Sequence, residues 1–199
     1  MTDSPPPAAR AITRPEMVKV ERGGEEREVA DSVVTRLLLQ LQPPLDSLRT
    51  FTHATECETF EQAAAERGQE VGQIVRSIVF RLSGGRADFV LVLCPGGSKV
   101  AWPAIRKRLK ARSITMAREE EVLAVTGHRV GSVSPFALPG SLRVLADAEC
   151  FVPEEISIGS GLIGTTVILS QPDFARALRA AVAEAMLEIG EFAALKESS

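Results

Sequence analysis

Apolar and polar positions alternate along this chain in two rhythms. Val34, Leu37, Leu38 and Leu41 fall three or four residues apart after Asp31 and stop at Pro43 and Pro44, which predicts a helix. A second helix is expected from Thr59 to Arg67, with Thr59 as its N-cap, Ala63 and Ala64 as small packing residues and Gly68 as its stop. The rhythm then changes. Gln73 to Leu82 reads as a strand, Ser83-Gly84-Gly85 as its turn and Asp88 to Cys94 as the returning strand. Phe89 to Leu93 is apolar at every position, so that strand is expected to be covered on both faces.

Pro95-Gly96-Gly97 reads as a loop. Trp102, Ile105 and Leu109 mark a helix that tolerates Pro103 in its first turn. Arg118 to Thr126 is another, with acids at its start and Gly127 at its end. Short strands are expected at Leu142 to Ala146, Ile156 to Ile158 and Thr165 to Leu169. The last helix starts near Ser170, and its stripe runs through Phe174, Leu178, Ala181, Val182, Ala185 and Ile189. Residues 1–27, with Pro5, Pro6 and Pro7 and the charged run Glu21 to Glu28, read as a disordered tail, leaving 28–199 as the domain. Hairpins interleaved with helices predict an α/β (α+β) fold: one domain with a curved, mixed, largely antiparallel sheet packed by helices.

Composition narrows the partners. The 199 residues are 45% apolar and 25% charged, the mix of an ordinary globular domain. Lys and Arg number 23 against 26 Asp and Glu, so the overall basic character of a nucleic-acid binder is absent and DNA is not an expected partner. Cys57, Cys94 and Cys150 form no C-x-x-C pair, which points to free thiols in a reducing, cytoplasmic setting. His53 and His128 lack metal-ligand spacing to another His or Cys, so neither a metal nor another cofactor is expected. No apolar run approaches membrane-spanning length.

Four features carry candidate chemistry. In the strand from Gln73, side chains alternate between faces, so Ile74, Arg76, Ile78, Phe80 and Leu82 share one. Arg76 therefore points where a core should be. It either snorkels to solvent and meets a carboxylate, or forms the cationic floor of a pocket. Gly159 to Gly164 matches G-x-G-x-x-G, but a strand follows it rather than a helix, which excludes a dinucleotide site and leaves a hairpin turn with exposed amides. Gly131-Ser132-Val133-Ser134-Pro135 is either a plain connection or a fixed loop whose amides face a carbonyl oxygen. Arg106, Lys107, Lys110 and Arg112 belong to a basic helical run that is either a solvated face or a contact for an RNA backbone. The two histidines read as ordinary surface or packing residues.

These segments, in this order, resemble the YbaK/prolyl-tRNA-synthetase-associated family of aminoacyl-tRNA editing deacylases. Thr59-Phe60-Glu61-Gln62-Ala63-Ala64 is similar to the family's T-x-E-x-A-A helix, and Ile74-Val75-Arg76-Ser77-Ile78-Val79 to its lysine-bearing strand. Val130 to Pro135 resembles its G-x-x-x-P loop, and Ile156 to Phe174 its closing hairpin and helix entry. The resemblance implies one α/β domain that binds the aminoacylated 3′ end of a tRNA and hydrolyses a wrong ester, with a synthetase as a possible further partner. It assigns Arg76 and Gly131 to catalysis, and Ser77, Ser132, Ser134, Pro135, Gly161 and Gly164 to the substrate. Arg76 stands at the family's lysine, Ala137 where many members have glycine, and Ser160-Gly161 replaces other spellings of the turn. Arginine keeps the charge but cannot act as a base. A catalytically lapsed tRNA- or synthetase-binding module of the same fold is the alternative.

Overall fold

The computed structural model describes residues 10–22, 25–84 and 88–194. Its first elements revise the expected tail. Strand β1 (Met17–Arg22) pairs antiparallel with β2 (Glu25–Ala30), in register from Met17 opposite Ala30 to Arg22 opposite Glu25. Charges flank this hairpin, and Lys19 pairs with Glu26. Its apolar minority nevertheless anchors it: Val29 and Ala30 are fully buried, and the Ala30 amide donates to Thr50 Oγ1 at 2.8 Å. Of the expected tail, only residues 1–9, 23 and 24 lie outside the described residues, as does Gly85 of the expected turn.

Helix α1 (Val33–Leu39) begins at a capping box in which Ser32 and Thr35 exchange side-chain and backbone hydrogen bonds. Strand β3 (Arg49–Thr52) follows, then α2 (Phe60–Glu66) behind its Thr59 cap. The central hairpin is β4 (Val75–Ser83) and β5 (Phe89–Pro95). After the short β6 (Lys99–Val100) come α3 (Trp102–Leu109), β7 (Ser113–Met116), α4 (Glu119–Thr126) and β8 (Arg143–Asp147). Strands β9 (Glu155–Gly159) and β10 (Thr165–Ser170) enclose the glycine-rich turn, and α5 (Gln171–Ala181) follows. The chain closes with β11 (Leu187–Gly190) and β12 (Ala193–Ala194).

The main sheet has the order β11-β8-β5-β4-β7. Its β8 lies parallel to both β5 and β11, and its other pairings are antiparallel. Strand β5 is covered on both faces, as its unbroken apolar run requires. Leu91 and Leu93 enter the larger core with Val75, Val79, Phe136 and Phe174, while Val90 and Val92 meet Phe80, Ile105 and Leu109 under α3. A second, antiparallel sheet runs β3-β10-β9. Asp173 ties the loop before β3 to α5: it accepts from the Ser47 amide at 2.9 Å and the Ser47 hydroxyl at 2.6 Å.

The apolar stripe placed a helix too far here. Helix α5 stops at Ala181, and Leu187–Gly190 is a strand, with Leu187 opposite Val144 and Ile189 opposite Ala146. The open edge of β8 needed backbone partners. Pairing it satisfies both strands, whereas three further helical turns would have left that edge bare.

Candidate functional site

The two sheets meet where β4 begins. Ile74 bridges to Ser157 of β9, and the Ser157 hydroxyl reaches the Gln73 carbonyl at 3.5 Å. Further along, β7 pairs only with Phe80 to Ser83. The stretch of β4 around Ser77 therefore has an open edge. A cleft of about 640 Å³ lies along it, bounded by β4, β9, the start of β10, α2 and the Gly131 loop.

Register fixes what that edge presents. The Ile74 carbonyl accepts from the Gly96 amide on the β5 side, and the Val79 carbonyl accepts from the Ala117 amide on the opposite side. Backbone groups alternate sides along an antiparallel strand, so Ser77, two before Val79, directs its N–H and C=O into the cleft. The Ser77 hydroxyl is buried and, among the described residues, has no hydrogen-bond partner.

Arg76 lines the same cleft, half-buried, on the Ile78 and Phe80 face that strand parity gave it. It meets no carboxylate among the described residues. Its Nε donates to the Pro95 carbonyl at 3.3 Å, and its Nη2 to the Ser98 carbonyl and to Cys94 Sγ at 3.4 Å. These acceptors anchor the guanidinium without neutralising it, and Nη1 keeps its two N–H groups for another partner. The Phe60 ring lies 5.4 Å from the guanidinium carbon, in cation–π contact.

Gly131 also lines the cleft, with φ of +90° and Ile163 Cδ1 at 3.7 Å from where a Cβ would stand. Ser132 and Ser134 are buried and do not line it. The Ser132 hydroxyl donates to the Arg129 carbonyl at 3.0 Å, and Ser134 Oγ accepts from the Phe136 amide at 3.4 Å. Both hydroxyls turn inward and shape the loop, so neither is set to orient a water in the cleft. Pro135 is likewise buried outside the lining. The glycine-rich turn splits in role. Gly164 borders the cleft, whereas Gly161 packs on His128, whose Nδ1 is 3.0 Å from its would-be Cβ. Gly159, not singled out from the sequence, is the tightest of the three against backbone. A Cβ there would lie 2.3 Å from the Val133 carbonyl oxygen and 2.7 Å from that of Ser132.

The far wall holds a polar cluster that sequence spacing did not reveal. His53, Cys57 and Glu66 place their ligand atoms within 4.8 Å of one another. Arg67 Nη1, which can only donate, lies 2.8 Å from His53 Nε2. Nε2 is therefore the acceptor, and Nδ1 carries the proton that it donates to Glu66 Oε2 at 2.6 Å. In this arrangement Nδ1 has no lone pair for a metal, and the cluster is a hydrogen-bonded brace between the His53 loop and α2. Burial, reinforced by Glu66, pushes the Cys57 thiol above its ordinary range, so it is not a resting thiolate. His53, Cys57 and Arg67 line the cleft themselves, as do Thr59, Phe60 and Ala63 of the T-x-E-x-A-A segment.

Comparison with known proteins gives the site its context. Residues 54–177 match the model of the aminoacyl-tRNA editing domain. This chain belongs to that family. It is 26% identical over 155 residues to the multifunctional Ser/Thr-tRNA deacylase ProXp-y of Escherichia coli K12, covering 75% of this chain and 91% of that one. It is 29% identical over 99 residues to the proline–tRNA ligase of Thermosipho melanesiensis, of which the match spans 17%. It thus corresponds to a small part of the ligase and to nearly all of the deacylase. A solved structure described as a candidate trans-editing enzyme for prolyl tRNA synthetase superposes with a TM-score of 0.60 over 74% of this chain, at 23% identity, which shows a shared fold. The matched editing domain spans the cleft lining from Glu56 to Thr166, with His53 just ahead of it, whereas the β1–β2 hairpin lies well before it.

Proposed function

We propose that this editing domain hydrolyses the ester of a mischarged aminoacyl-tRNA in trans, with the cleft along β4 as its active site. The observation that carries the reading is Arg76: an anchored guanidinium with no carboxylate partner among the described residues and an open Nη1, in the cleft that Ser77 also lines. A half-buried cation without a counterion is free to take an anionic or polar ligand.

An aminoacyl ester is already activated, so positioning a water suffices. Arg76 Nη1 binds a terminal phosphate or polarises the ester carbonyl. The Gly131 amide and the Ser77 backbone hold the amino acid and the developing oxyanion. The same backbone groups orient the water. The water oxygen bonds to the ester carbon and gives up a proton, the bond from that carbon to the ribose oxygen breaks, and the ribose oxygen takes up that proton. The products are the free amino acid and a tRNA with its hydroxyl restored. On the same reading Arg106, Lys107, Lys110 and Arg112, all exposed, contact the acceptor-stem phosphates, while Arg108 is held by Glu188.

Single-turnover deacylation of tRNAs charged with alanine, cysteine, serine, threonine and proline tests this. Turnover of one mischarged species by wild type, lost at least tenfold in Arg76→Ala, is the expected result. An inactive wild type that gains turnover as Arg76→Lys overturns it in favour of a lapsed binding module. Reversing Arg106 and Lys107 to Glu should lower the salt dependence of tRNA binding. An unchanged salt slope removes α3 from the interface.

A further inference from the structure

Phe60 is the first residue of α2 and carries no structural burden that explains its size. It remains 42% exposed while lining the cleft, with Arg76 as its cation–π neighbour. Two more large apolar side chains line the cleft while staying exposed, Val130 at 52% and Ile163 at 38%. One precedes Gly131, and the other packs over it. An exposed aromatic ring next to a guanidinium with two unpaired N–H groups is poorly explained by folding. Leaving it in water forgoes burial that a smaller polar residue would not need.

The pairing matches a nucleotide. A flat base takes an aromatic face, and the adjacent phosphate takes a planar cation at the distance of one sugar. A small aliphatic amino acid or its simple ester has no flat face to set against the ring. We infer that Phe60 is the stacking platform for the nucleobase at the 3′ terminus of the tRNA, with Val130 and Ile163 completing an apolar collar around it. This rests on the deacylase reading for the identity of the substrate, but it concerns binding and not the chemical step. It assigns Arg76 to the terminal phosphate in preference to the ester carbonyl. It also explains how a chain with few aromatic residues and net charge of −3 could hold an RNA end: one stack at the cleft, with phosphate contacts beside it.

The test uses the full chain and a short acceptor-stem RNA whose terminal adenine is replaced by 2-aminopurine. Its 3′ end carries an amide-linked amino acid that cannot be hydrolysed. Stacking should quench the fluorescence. Phe60→Ala should abolish the quench and weaken binding on the order of tenfold, as expected for one base–aromatic stack. Phe60→Trp should restore both, and Phe60→Leu, which keeps apolar cover without a π face, should not. Deacylation of the corresponding ester RNA should show its larger loss in the half-saturating protein concentration. Equal binding by wild type, Phe60→Ala and Phe60→Leu overturns the stack, and so does full rescue by Phe60→Leu. A wild type that binds with Phe60-dependent quenching yet hydrolyses nothing defeats the deacylase reading and leaves the stack standing. Hydrolysis untouched by Phe60→Ala does the reverse.

Discussion

Gly161 donates its amide to the Ser132 carbonyl over 3.0 Å, and that bond fastens the β9–β10 turn to the loop carrying Gly131. Two stretches separated by some thirty residues of sequence thereby become one wall of the cleft. Gly159 permits the approach, since its missing Cβ leaves room for the Ser132 and Val133 carbonyls. The site depends on this backbone contact as much as on any side chain.

Gly159→Ala is accordingly expected to cost about 2–3 kcal/mol, the range of an overpacked interior. The backbone atoms it meets cannot rotate away. Thermal denaturation should show a Tm lower by roughly 5 °C or more, with deacylation lost alongside. An unchanged Tm would show that the loop and β9 separate freely.

Ser77→Ala should separate the side chain's part from the backbone's. Its hydroxyl is buried and unpartnered, so removing it is expected to leave stability unchanged or to raise it by up to about 1 kcal/mol. Deacylation should stay within about twofold of wild type, because the backbone groups that face the cleft are kept. A loss of stability on chemical denaturation would mean that the hydroxyl has a partner in the folded protein. A tenfold loss of activity would place the hydroxyl in the site.

His128 makes the clamp sensitive to acid. Burial holds its imidazole below the ordinary value of 6.5, against a smaller opposing effect from the Phe136 carbonyl, to which Nε2–H donates at 3.2 Å. The unfolded chain therefore takes up a proton first. This residue's contribution is complete above pH 6.5 and drains away as the pH falls from there towards the depressed folded value. Urea midpoints between pH 8 and 5 should decline in wild type and flatten in His128→Gln, whose amide can still donate to Phe136. Parallel curves for the two proteins would exclude His128 as the source.

Ala137 occupies left-handed backbone, with φ of +58°. A side chain there costs roughly 1–2 kcal/mol, against about 0.5–1 kcal/mol for the extra freedom of glycine when unfolded. Ala137→Gly is expected to raise the urea midpoint by the equivalent of up to about 1 kcal/mol. A drop in the midpoint would mean that the Ala137 methyl, which packs on the main core, outweighs the strain.

Short-range pattern determined much of this protein. Thr59 caps α2 through the Gln62 amide, Gly127 ends α4 at φ of +72°, and the G-x-G-x-x-G segment is a hairpin turn because a strand follows it. Alternation along β4 set Arg76 on an apolar face, and the unbroken run in β5 announced a strand buried on both sides. Each of these follows from a residue and its near neighbours.

Tertiary structure decided what depends on distant partners. Leu187 and Ile189 suit a helix stripe as well as a strand, and only the open edge of β8 selected the strand. The charged β1–β2 segment folds because Val29 and Ala30 find a core that its own composition does not supply. Ser132 and Ser134 look like ligand-binding hydroxyls in sequence, yet the Arg129 carbonyl and the Phe136 amide engage them internally. His53 and Cys57 stand four residues apart and meet locally, but Glu66 joins them only when α2 docks beside the end of β3. Local chemistry specifies turns, caps and faces because those energies are settled within a few residues. Which edge is paired, and which polar group is left open, is settled by the chain that arrives from elsewhere.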